Sequence, residues 1–226
     1  MPKLRVLFGL FVFLLACSCT QDYRASIASD MESLVLADDM VLGIRLPGDN
    51  WKTSPEPPLT LVEEMAAHIE HELEEKGQLA SPPTREQLKN AALKKLQSNE
   101  GYVFNPTTGA HLDVDISRLG EGDVAPSARG VENSARYAVS SLEGDEGVSA
   151  VVARVEKTRL AGTQYAWRIS ADYKMHEEPR RFVGIVAFAS PYWVYLYYTD
   201  PLKNDTDYGE MEEMLRSAVL GFKATP

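Results

Sequence analysis

His111, Asp113 and Asp115 alternate with Leu112, Val114 and Ile116. On a β-strand this alternation sends one imidazole and two carboxylates to one face and the aliphatic side chains to the other. Nitrogen and oxygen donors gathered on one face suit a divalent cation. A half-buried strand with a solvated face alternates in the same way and is the plainer account. Glu64, His68, His71 and Glu75 fall at i, i+4, i+7 and i+11, one stripe of a helix. Two imidazoles on neighbouring turns suit Zn²⁺ or Cu²⁺, but the paired-His-plus-Glu spacing of zinc helices is missing, and a solvated helix face explains them more simply. Asn204 to Glu210 has the flavour of a calcium loop, yet Gly209 is out of register with the acidic residues. That segment reads as a helix cap, and His176 as a turn residue between strands.

The other cue is aromatic. Trp167, Tyr192, Trp193, Tyr195, Tyr197 and Tyr198 crowd the strand-like runs of the second half, and Tyr192, Trp193, Tyr195 and Tyr197 stand out as the candidate partner surface. Most such rings belong in a core, and a surface subset of these four would make a partner or ligand groove, since Tyr and Trp are favoured at interfaces. Catalytic signatures are missing: there is no Gly-x-Ser-x-Gly elbow, no Gly-rich phosphate loop and no His-Glu-x-x-His. The chain is therefore read as a non-enzyme without a cofactor.

Charge narrows the partners further. With 23 Lys+Arg against 33 Asp+Glu, the net charge of −10 repels nucleic-acid phosphates and anionic membrane surfaces. Any membrane attachment must come from another device. Lys3 and Arg5 precede an apolar run, Val6 to Ala16, that is too short to span a bilayer as a helix, and Leu14-Leu15-Ala16-Cys17 follows. This resembles the lipobox of bacterial lipoproteins, which implies removal of residues 1–16 and a lipid on Cys17, with acyl chains as the anchor. Ser18 stands where inner-membrane lipoproteins commonly carry Asp, so the resemblance implies an outer-membrane location facing the periplasm. Cys19 has no nearby base to make a reactive thiolate, though an intermolecular disulfide is open to it.

The elements that must hold these residues follow from periodicity. Residues 17–39 read as a polar tether ending in a short helix around Met31 to Leu36. Val41 to Leu46 reads as a strand, stopped by Pro47-Gly48. Two capping boxes, Thr60 with Glu63 and Thr84 with Gln87, predict a helical hairpin whose first helix carries the stripe Leu61, Val62, Met65, Ile69 and Leu73. A β-hairpin over 102–116 and a helix through Val131, Ala135 and Leu142 come next. Four strands, Val148–Glu156, Gln164–Tyr173, Arg181–Ala189 and Tyr192–Thr199, predict an antiparallel meander. The last two are apolar on both alternations, so helices must cover both faces of the sheet. Asp207 with Glu210 is expected to cap a final helix through Met211, Met214, Leu215 and Ala218.

This order, with Leu46-Pro47-Gly48-Asp49-Asn50-Trp51 at its start and Glu212-Glu213-Met214-Leu215-Arg216-Ser217 at its end, resembles the PsbP-like superfamily, including DcrB-type lipoproteins. The resemblance implies an α+β fold, an antiparallel sheet with helices on both faces, in one domain over 40–226. It also implies an accessory role exercised on an envelope protein partner. A small-ligand or divalent-cation binding lipoprotein using His111, Asp113 and Asp115 is the alternative.

Overall fold

The computed structural model describes residues 25–75, 77, 82–145, 147–201 and 203–222. In chain order the elements are β1 (Glu32–Ala37), β2 (Met40–Ile44), β3 (Lys52–Ser54), α1 (Leu59–Glu75), α2 (Arg85–Leu96), β4 (Gly101–Phe104) and β5 (His111–Arg118). There follow α3 (Ala128–Gly144), β6 (Val148–Thr158), β7 (Tyr165–Met175), β8 (Glu178–Ala189), β9 (Tyr192–Asp200), α4 (Asp205–Ser217) and β10 (Val219–Phe222).

The doubly apolar runs become the interior of the main sheet. Its strand order is β3-β4-β5-β9-β8-β7-β6, every neighbouring pair antiparallel. On one face Leu112, Val114, Ile185, Val194 and Leu196 pack in a core with α4 residues Met211, Met214 and Leu215. A second, three-stranded sheet, β1-β2-β10, closes that core with Leu42, Ile44 and Leu220. The opposite face carries Trp167, Ile169, Val186 and Phe188 beneath Val131 and Ala135 of α3. Beside α3, the α1–α2 hairpin wraps Leu61, Val62, Leu88 and Ala92 around Tyr102 of β4. The fold is therefore α+β, an antiparallel sheet with helices on both faces, as the both-sided hydrophobicity of β8 and β9 requires.

Several expectations are corrected. The stretch read as ending in a short helix holds β1 instead, because Leu34 and Leu36 are both buried in the core and the segment pairs with β2. Helix α1 starts at Leu59. Thr60 therefore lies inside the first turn, where Val62 N–H donates to Pro58 O at 3.1 Å, rather than capping from outside. The Thr84–Gln87 capping box is present on both of its arms. The cap of α4 is Asn204, whose side chain accepts from Thr206 N–H at 2.9 Å. Asp207 is buried one turn in and accepts from Asn105 Nδ2 at 3.0 Å. Finally, β10 continues the chain past α4 and joins β2, where sequence periodicity showed only the helix.

Candidate functional site

Strand parity decides where the chemistry-bearing side chains go. In β5, Leu112 and Val114 are fully buried in the first core, so His111, Asp113 and Asp115 turn to the opposite face. In β9, Val194, Leu196 and Tyr198 are buried on the same side as Leu112, which sends Trp193, Tyr195 and Tyr197 the other way. The β5–β9 register then sets Asp113 opposite Tyr197 and Asp115 opposite Tyr195. Two groups of residues that the sequence suggested separately are thus one surface.

Tyr192 is not part of it. Its even parity puts the ring in the first core, where it is buried, donates its hydroxyl to Asp39 Oδ1 at 2.9 Å and lies under the Arg118 guanidinium.

The acidic half of this surface is densely connected. His111 is buried, with Nδ1 2.9 Å from Gly109 O and Nε2 4.0 Å from Asp113 Oδ1. Burial pushes the Asp113 carboxyl up to about 6; the His111 imidazole pulls it down and Glu64 on α1 pushes it further up. Asp115 bonds to Glu100, whose Oε2 also accepts from Ile116 N–H at 2.9 Å. Burial, together with the neighbouring carboxyl, raises Glu100, and burial raises Asp115, so the pair retains a proton after isolated carboxyls have lost theirs. Among the described residues no group of three or more His, Cys, Asp or Glu side chains is gathered to hold a metal ion.

The aromatic half forms a groove. Trp193 and Tyr195 stack at 6.3 Å between centroids, Tyr195 and Tyr197 stand 6.0 Å apart, and Phe182 of β8 tilts onto Tyr197 at 5.4 Å. Above this floor, Ser134, Tyr137, Ala138 and Ser141 of α3 wall a cavity of about 460 Å³. Tyr195 bonds to the Ser134 hydroxyl, tying floor to wall, and burial raises the phenols of Tyr195 and Tyr197 so that both stay neutral donors. An apolar floor with hydroxyl donors and flanking carboxylates suits a ligand with flat or aliphatic groups and positive charge.

Glu100 escaped the sequence reading although the signal was present. The hairpin register pairs Gly101 with Val114, and extending it by one residue places Glu100 against Asp115. The helical histidines are dispersed: His68 pairs with Glu72 at 3.4 Å, while His71 meets His176 edge-to-face at 4.7 Å between centroids. His176 occupies the β7–β8 turn at φ +49, and Gly147 leaves room for its ring, since a Cβ there would stand 2.4 Å from the imidazole. The lipobox and Cys17 lie outside the described residues.

No family model and no curated protein matches this chain. Solved structures similar to it include two that cover most of its length. One is the crystal structure of LpqN, involved in cell envelope biogenesis of Mycobacterium tuberculosis, at 12% identity over 80% of this chain and 84% of that one, with a TM-score of 0.47. The other is the solution structure of cyanobacterial PsbP from Synechocystis, at 9% identity over 86% and 96% of the two chains, with a TM-score of 0.44.

Proposed function

We propose that the chain is a bacterial envelope lipoprotein, anchored through a lipid on Cys17, that acts without chemistry of its own by holding a protein partner in the groove between α3 and the β8–β9 floor. The observation that carries this reading is the groove itself: Phe182, Tyr195 and Tyr197 under Tyr137 and Ser141, in a strongly acidic chain. The leader and lipobox support the anchor, and Ser18 supports outer-membrane sorting with the domain facing the periplasm. Among the described residues no helix is long and apolar enough to cross a membrane. A basic segment with one or two apolar side chains fits the groove's charge and lining.

A photoreactive side chain in place of Ser141 tests the groove. The expected result is crosslinking to one discrete envelope protein, through a Lys- or Arg-bearing segment, and none from the same probe at Lys94 on α2. Equal labelling from both positions overturns the reading. The second reading, a cation on the β5 face, is favoured by one observation: Asp113 Oδ1 is buried without a hydrogen-bond partner, beside His111. Thermal stabilisation by Zn²⁺ or Ca²⁺ that disappears in His111→Ala would support it.

A further inference from the structure

β6 is an outer edge of the seven-stranded sheet: β7 lies along one side, and no described strand lies along the other. An edge presents a row of unpaired N–H and C=O groups, a template for another strand. At eleven residues and without proline, β6 is long for an edge. Its first part is unsuited to pairing, because the register with β7 shifts between Ser149 and Val152 and Ala150 has φ +52. From Val152 to Thr158 the strand is regular, and along this stretch only Val155 and Thr158 are partly covered.

We propose that this edge pairs with β6 of a second copy of the chain, antiparallel about a two-fold axis through Val155, to make one sheet continuous across two protomers. A two-fold perpendicular to a sheet keeps every side chain on its own face, so the axis must pass through a residue rather than between two. Val155 is the midpoint of the regular stretch. Centred there, Val152 faces Thr158, Ala153 faces Lys157, and Arg154 faces Glu156 of the other protomer, twice over. Centred on Arg154 or on Glu156, the pairing sets identical charges against each other and leaves part of the regular stretch unpaired. Within one protomer Glu156 pairs in register with Arg168, which is bound to Glu212 of α4. The dimer thus completes a row of alternating charge on that face, from Arg154 across the interface to Glu156, Arg168 and Glu212. Opposite charges directly across neighbouring strands favour pairing, and like charges oppose it.

The test uses the full chain in membranes of the cells that express it, with Cys19→Ser to remove the spare thiol. Val155→Cys brings two thiols to the axis, so mild oxidation is expected to give a disulfide-linked dimer whose bridging peptide maps to position 155 on both sides. Val152→Cys, which faces Thr158, is expected to give at least tenfold less. In the Val155→Cys background, Arg154→Glu or Glu156→Arg alone should lower the yield at least tenfold, and the two reversals together should restore it. Restoration also excludes misfolding as the cause of the losses. Equal yields from positions 152 and 155 overturn the proposal. So do single reversals that change the yield less than twofold, and a double reversal that melts like the wild type yet does not restore the dimer.

Discussion

The Asp113 carboxyl is held in its neutral form by burial far more than an exposed aspartate is. Its folded value, about 6 against 3.8 for an unperturbed side chain, means that the folded state binds the proton more tightly than the unfolded state does. The cost of this group is therefore nil below about pH 4, grows as pH rises through the interval between the two values, and is complete above about pH 6. Asp113→Asn removes that cost. It should stabilise the domain by about 1–3 kcal/mol at pH 7.5 and leave it unchanged at pH 3.5, which paired thermal melts will show. The Glu100–Asp115 pair works in the same direction, since both carboxyls are raised. Its presence in the groove region was legible only through the hairpin register, whereas Asp113 and Asp115 were legible from alternation alone. The division of the aromatic set follows one rule: even-numbered Tyr192 goes to the core with Val194 and Leu196, and odd-numbered Trp193, Tyr195 and Tyr197 go to the groove.

Elements with strong local signals were readable, and those that depend on distant partners were not. The Thr84–Gln87 box, the 3.6-residue stripe of α1 and the four meander strands each carry their own pattern, and each formed as expected. β1, β3 and β10 are short, and tertiary pairing creates them: β10 exists because β2 offers it an edge. The capping prediction is direct: Thr84→Ala should cost about 1 kcal/mol, a fall of roughly 2–4 °C in melting temperature. A sharper effect is expected where β10 meets the loop before β7. Gly162 has φ +86, and a Cβ there would stand 1.9 Å from Leu220 O, beside the Leu220 N–H bond to Ala161 O at 2.8 Å. Gly162→Ala should therefore cost on the order of 2–4 kcal/mol in chemical denaturation, more than Thr84→Ala, because backbone rather than a side-chain end must move.

For the molecule as a whole, attachment and closure make separate predictions. Under the proposed function, Cys17→Ala should move the protein from the membrane fraction to the soluble fraction without changing its melting temperature, as fractionation and melts on the same preparations would reveal. Closure depends on β10. The small sheet has β2 in the middle, flanked by β1 from the beginning of the domain and β10 from its far end, with Leu42, Ile44 and Leu220 sealing one core. Truncation after Ser217 should leave that core open and give a species cut by protease at least tenfold faster than the full chain. Contacts this distant along the chain form slowly, because a long loop must close before they gain anything. A polypeptide whose opening strands wait for β10 keeps the small sheet unclasped even after the seven-stranded sheet beside it has paired throughout.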